Sequence, residues 1–306
     1  HEPARLRPSA YARTMSEEPL EPSYADPERY VELVGFKGTW RDLYYNADFL
    51  GLMAHRWQLR NVHDALDVGC GGGHWTRTVT SLLPPAANMT GVDLEPHFLE
   101  LAKKEGEARG FAERMHFVQG DATALPFEDA SFDMVTSQLV LIHVHDLDAA
   151  LREMVRVLRP GGLLAVAEPD NIAGNLALMR DSARGSDDEL LTLMSLLQTA
   201  ERGKLALGEG DQSVGPRLPG LFAREGLDDV RAYTNDRCIY MYPPHDAAHM
   251  KTALETELPW IDEDVSFLLG ARPDVRRHYL AGGGSEAAFD EAWAAMRRYL
   301  EEIRRQ

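Results

Sequence analysis

Between Ala65 and Ala167, short apolar runs alternate with amphipathic stretches. Ala65-Leu66-Asp67-Val68, Met89 to Asp93, Met115 to Val118, Met134 to Thr136 and Leu163 to Ala167 read as five strands. Helices fall between them. One opens near His74, and another opens at Pro96, whose ring suits a first helical turn. A third covers Asp146–Leu158 and is stopped by Arg159-Pro160-Gly161-Gly162. Strand–helix alternation at this spacing predicts a parallel sheet with helices on both faces. Two later strands, Asp229–Thr234 and Cys238–Tyr242, are separated by Asn235-Asp236-Arg237, a gap short enough for a hairpin at an antiparallel edge.

The flanks carry a different pattern. Residues 1–26 show no apolar period and predict a mobile N-terminal arm. Residues 27–60 turn helical, with Tyr30, Val31, Val34, Leu43, Phe49, Leu50, Met53 and Trp57 at spacings of three and four, and predict a lead-in or lid. The core then spans 61–242, interrupted by an insert at about 171–212. Within the insert, Ser186–Gly203 reads as a helix with a Ser186/Glu189 capping box and an apolar face of Leu190, Leu193, Met194 and Leu197. Residues 243–306 form a C-terminal helical cap, whose last helix starts near Ser285 and carries a stripe of Phe289, Trp293, Met296, Leu300 and Ile303.

Composition narrows the function. The 306 residues suit one large α/β domain with additions. Lys and Arg total 32 against 49 Asp and Glu, so the net charge of −17 disfavours a nucleic-acid partner. No apolar run reaches the roughly 20 residues of a membrane span, and no signal-peptide pattern follows the start. Two cysteines, Cys70 and Cys238, make no disulfide framework. The expectation is a cytoplasmic protein with no membrane partner.

The chemistry centres on Asp67-Val68-Gly69-Cys70-Gly71-Gly72-Gly73, which follows a strand and opens a helix. Glycines there allow a tight turn and a close ligand approach. A dinucleotide fingerprint starting at Gly69 would need glycine where His74 stands, and the lysine and hydroxyl of a phosphate-cradling loop are absent. Asp67, two positions before the first glycine, suits a ligand bearing a cation better than a pyrophosphate. Asp93 ends the second strand, where a carboxylate can accept both hydroxyls of a ribose. Asp121 follows the third strand, placed to accept from an adenine amino group. Each aspartate alone could be a turn or cap residue. Three at successive strand ends argue for a nucleoside site.

Together with Gly91-Val92-Asp93-Leu94, Gly120-Asp121-Ala122 and Leu158-Arg159-Pro160-Gly161-Gly162, the glycine loop resembles the Rossmann-like (class I) S-adenosylmethionine-dependent methyltransferases, most clearly over residues 62–170. The run from Val214 to Phe222 resembles small-molecule members. The resemblance implies an α/β fold of seven strands in the order 3-2-1-4-5-7-6, with strand 7 antiparallel. It also implies S-adenosyl-L-methionine as cofactor and S-adenosyl-L-homocysteine as product. Carried over by residue, Gly69, Cys70, Gly71 and Gly73 pass along the methionine part and Asp67 organises its ammonium. Asp93 takes the ribose, Leu94 packs on adenine, and Asp121 with Ala122 reads the adenine edge. Gln138 and Leu139 close over the cofactor, and Tyr45 meets its carboxylate.

Methyl transfer from a sulfonium is an in-line displacement, so the protein supplies alignment, desolvation and, for some acceptors, a base. His143 and Glu168, after the fourth and fifth strands, are the candidate catalytic residues; His143 is equally a candidate for lining adenosine. The two histidines His143 and His145 with Asp146 resemble only a partial metal site with no further placed ligand, so no metal is expected. The expected partner is a small-molecule acceptor methylated on O or N, with a homodimer as candidate assembly. Protein or RNA methylation, or cofactor binding without turnover, are the alternatives.

Overall fold

The computed structural model describes residues 40–174, 187–236, 244, 246–262, 265–266 and 270–305. The expected arm (1–26), the start of the lead-in, the Cys238–Tyr242 strand and Ser186 lie outside the described residues. Five strands, β1 (Asp64–Val68), β2 (Asn88–Asp93), β3 (Met115–Gln119), β4 (Phe132–Gln138) and β5 (Leu158–Ala167), form one sheet in the order β3-β2-β1-β4-β5, and every pair is parallel. The register sets Asp67 beside Gly91 on one side and Thr136 on the other. Gln138 lies beside Ala167, so the carboxyl ends line up along one edge.

Alternation along β1 explains the two layers. Leu66 and Val68 point into one apolar cluster with Val135 and the buried stripe of α4 (Leu147–Val157), Ala150, Leu151, Met154 and Val157. Ala65 points the other way, among Met89, Met134, Trp75 and Val79, the last two from α2 (His74–Leu82). A strand buried on both faces is what a parallel sheet requires. Asp67 has the parity of Ala65 and faces α2. Before β1 come α1 (Ala47–Arg56) and a 3-10 turn at Trp40–Tyr44, and α3 (Pro96–Ala108) follows β2.

Arg159-Pro160-Gly161-Gly162 does more than stop α4. It belongs to β5 as a bulge, and the register against β4 slips between Phe132 and Met134. Arg159 reaches Asp133 at 2.7 Å and Asp64 at 3.1 Å, clamping the amino ends of β1, β4 and β5. The sixth strand expected at Asp229–Thr234 is not formed: Asp229 sits at φ 53°, its carboxylate takes Arg231 in a local pair, and the segment is largely exposed. The described sheet therefore has five strands, matching the first five positions of the expected order.

The helical additions have their own core. Helix α5 (Asp187–Leu207) packs Leu193, Leu196, Leu197 and Ala200 against Val275 and Tyr279 of α8 (Arg272–Ala281) and Phe289, Trp293, Met296 and Leu300 of α9 (Glu286–Arg305). Glu189 accepts from Arg298 of α9, tying the two helices together. Met194, expected on the apolar face, is only partly buried, while Leu196 is 1% exposed. Helices α6 (Leu218–Arg224) and α7 (Ala248–Asp262) complete the chain with a two-residue hairpin, β6 (Val265–Ser266) and β7 (Gly270–Ala271). Among the described residues no helix is long and apolar enough to cross a membrane.

Candidate functional site

The glycine turn is built onto the end of β2. The Gly69 and Cys70 amides both donate to the Val92 carbonyl, at 2.7 and 3.0 Å, which swings the chain across the sheet edge. Gly69 is left-handed at φ 69°, and a Cβ there would stand 2.5 Å from the Val140 methyls. Gly73, at φ 74°, opens α2, and a Cβ there would meet Ala102 at 2.9 Å. Cys70 is buried with its sulfur against Gly91, and burial pushes its thiol well above the ordinary range. It is a packing residue.

The three aspartates have different environments. Asp67 is 1% exposed; Oδ2 accepts from the Thr76 hydroxyl at 2.6 Å, while Oδ1 has no partner. Burial, helped by the nearby Asp93 charge, raises its pKa to about 7 against the Thr76 hydrogen bond. Asp93 accepts from the Gly71 amide at 2.8 Å and the Glu95 amide at 3.0 Å, and burial raises its pKa despite both bonds. Asp121 is exposed, and its Oδ1 takes both the amide and the hydroxyl of Thr123. It thus forms a turn, with one oxygen outside that bonding. Beside these, Leu94 presents a 57% exposed side chain and Ala122 packs at the edge of the sheet core.

The lead-in crosses this edge. His74 Nε2 donates to Asp42 Oδ1 at 2.9 Å, an ion pair when His74 is protonated, and Gln138 Nε2 donates to the Tyr45 hydroxyl at 3.1 Å. Burial raises the Tyr45 pKa to about 12, so the phenol stays neutral. Gln138 Oε1 is buried with no partner, and Leu139 is held at φ 57°, a conformation that costs a branched side chain energy. Glu168 explains the hold: Oε1 accepts from the Val140 and Leu141 amides at 2.8 and 2.9 Å. Its Oε2 is buried without a partner, and burial raises its pKa to about 7.

His143 lies on the loop that Glu168 holds. Its side chain is exposed to solvent, while the protein atoms around the ring push its pKa down to about 4. Lys204 and Arg41 lower it further. His145 instead faces outward, with Nδ1 at 2.8 Å from the Gly208 carbonyl. A shallow cleft of about 230 Å³ beside His145, lined by Leu141, Leu205 and Arg217, lies apart from the aspartates.

Sequence reading missed Thr76, Glu201 and Lys204. Thr76 was legible as a hydroxyl on the inward first turn of α2. Glu201 and Lys204 break the leucine stripe of α5, and both are buried, at 8% and 6% exposure.

Residues 66–166 match the family described as Methyltransferase domain. The chain is 44% identical over 104 residues to the Demethylmenaquinone methyltransferase of Staphylococcus aureus strain JH9, covering 34% of this chain and 42% of that protein. The match thus spans 42% of the length of these curated relatives, less than half. Among solved structures, the YcgJ protein of Bacillus subtilis is similar at 24% identity and a TM-score of 0.44, over 72% of this chain and 86% of its own. A SAM-dependent methyltransferase from Aquifex aeolicus is similar at 16% identity and a TM-score of 0.42, over 47% and 74%.

Proposed function

We propose that the core of this chain is a class I S-adenosylmethionine-dependent methyltransferase domain, and that the protein transfers a methyl group from that cofactor to an O or N atom of a small molecule. One observation carries the reading. Asp67 Oδ1, Gln138 Oε1 and Glu168 Oε2 are buried acceptors without partners at the carboxyl ends of β1, β4 and β5. Unsatisfied buried acceptors around a glycine turn suit a ligand end rich in donors, such as the cofactor's ammonium.

In this reading, Gly69, Gly71 and Gly73 keep side chains away from the methionine part, and Asp67 accepts from its ammonium. Asp93 keeps spare lone pairs on both oxygens for the ribose hydroxyls, because each oxygen already accepts only one amide. Leu94 covers adenine, and Asp121 reads its edge with the Ala122 amide. Tyr45, Gln138 and Leu139 close the site from the lead-in and β4, and His143 lines it.

When bound, the cofactor would supply an electrophilic methyl group on a sulfonium, which leaves as a neutral thioether. The chain's own part is to align the acceptor and exclude water. Glu168 acts as a positioning residue, fixing the loop that presents His143. The helical cap of α5, α8 and α9 closes the acceptor side. A relative named for demethylmenaquinone supports a small acceptor, and the net charge of −17 weighs against RNA.

Calorimetry with S-adenosylmethionine and S-adenosylhomocysteine tests the reading. Both should bind, and labelled cofactor should mark a metabolite in a small-molecule extract. Preferential binding of a nicotinamide dinucleotide would overturn it.

A further inference from the structure

Tyr45 links the Trp40–Tyr44 turn to Asn46, the N-cap of α1, and belongs to neither element. Its ring is nonetheless closely placed. It lies 5.2 Å from the Trp75 ring of α2 and 6.4 Å from that of Phe49, and its hydroxyl takes Gln138 Nε2 at the end of β4. The residues on either side of Tyr45 are each gripped by one of two consecutive residues, 191 and 190 positions further along the chain. Asn235 Nδ2 donates to the Tyr44 carbonyl at 2.5 Å, and Asn46 Nδ2 donates to Asp236 Oδ1 at 3.1 Å.

The bonds are not by-products of local structure. An asparagine at an N-cap ordinarily turns its side chain to the first turn of its own helix. Asn46 makes no such bond, and its amide nitrogen goes to Asp236. At the far end of α1, the Arg56 guanidinium lies 4.9 Å from the Tyr233 ring centroid, so the same segment meets the lead-in a third time. Tyr233, Asn235 and Asp236 are exposed, and their side chains support no core. The segment is anchored elsewhere: Leu227, just after α6, packs against the cluster that holds the α4 stripe. Tyr45 packs on the opposite cluster, with Trp75 and Val79. Residues 227–236 therefore join the two faces of the sheet through the lead-in.

We propose that Asn235 and Asp236, which the sequence places in a hairpin turn, are positioning residues for Tyr45. Fixing the backbone on both sides holds the phenol at Gln138, where the amino-acid end of the cofactor is read. The inference rests on the methyltransferase reading and adds to it two residues that act through Tyr45 rather than on the ligand. A binding side chain held in place beforehand does not have to be ordered by the ligand, and affinity gains by that difference.

The test is calorimetry on the full chain with S-adenosylhomocysteine and with methylthioadenosine, which shares its nucleoside and thioether but lacks the amino-acid end. The wild type should prefer S-adenosylhomocysteine. Asn235→Ala and Asp236→Ala should each weaken S-adenosylhomocysteine by about 3- to 10-fold, the range of one hydrogen bond, and change methylthioadenosine by less than about 2-fold. Asp236→Asn keeps the acceptor oxygen and should retain wild-type affinity. In a Tyr45→Phe background, Asp236→Ala should cost less than about 2-fold, because the hydroxyl it positions is gone. Equal wild-type affinity for the two ligands, equal losses for both in the Ala variants, an undiminished loss in the Tyr45→Phe background, or unchanged S-adenosylhomocysteine affinity in both Ala variants overturns the assignment alone. Failure of the wild type to bind S-adenosylhomocysteine overturns the methyltransferase reading as well.

Discussion

The Gly71 amide donates to Asp93 Oδ2 at 2.8 Å, so the carboxylate that ends β2 also holds the middle of the glycine turn. Ribose recognition and loop geometry thus share one side chain. The Glu95 amide occupies its other oxygen at 3.0 Å. Asp93→Ala should therefore weaken S-adenosylmethionine binding by about 100-fold, losing the ribose acceptor and the turn together. Asp93→Asn keeps one acceptor oxygen and should lose about 10-fold. Calorimetry on the two variants separates the contributions; equal, small losses would remove the ribose assignment.

Asp67 links binding to pH. Its folded pKa of about 7 lies above the ordinary 3.8, so the native state holds a proton that the unfolded chain releases. Its contribution to stability is therefore lost as pH rises from about 4 to about 7. Glu168 and Glu201, each raised to about 7, act in the same sense, while the lowered His143 opposes them. Urea melts of Asp67→Asn against wild type isolate the aspartate: the stability difference should change across pH 4 to 7 and level off above it. A cationic cofactor end prefers the ionised carboxylate, so affinity for S-adenosylmethionine should rise through pH 7 and flatten in the variant.

Gly203 sits where α5 crosses α8, and a Cβ there would run into the His278 carbonyl. Gly203→Ala should cost the cap about 3 kcal/mol or more, since backbone cannot yield as a side chain can. The sheet core has a separate apolar cluster, so S-adenosylhomocysteine affinity should stay within about 3-fold while methyl transfer collapses. Hydrogen exchange would show α5 and α8 losing protection; full activity in this variant would mean that the cap is not needed for the acceptor.

Crowding by protein atoms and the two cations Lys204 and Arg41 lower the pKa of His143 to about 4, although its side chain is exposed, which favours the neutral imidazole. So weak a base adds little to proton removal at neutral pH. His143→Ala should lower saturated turnover less than about 10-fold and leave the pH–rate profile near neutrality unchanged. Its effect should appear in the dissociation constants. A loss of about 10²–10⁴-fold in turnover with cofactor affinity intact would restore the general-base role.

The five parallel strands and the glycine turn could be read from the chain itself; the strand order came only with the family resemblance. Strand periodicity, Pro96 at a helix start and glycine where φ is positive are local properties, carried by neighbours in sequence. Asp67 and Asp93 were legible for the same reason: a residue at a strand's carboxyl end is placed by the strand. The partners of those residues were not. Thr76 reaches Asp67, Glu168 pins the loop before His143, and Tyr45 meets Gln138 across 93 residues, because helices and loops dock on the sheet in three dimensions. At Asp121 the local structure adds a turn, Oδ1 accepting from the Thr123 amide and hydroxyl, which strand position alone did not predict. Lys204 was the least legible residue. On the helix it is a polar interruption, and only the tertiary packing of α5 buries it to 6% exposure.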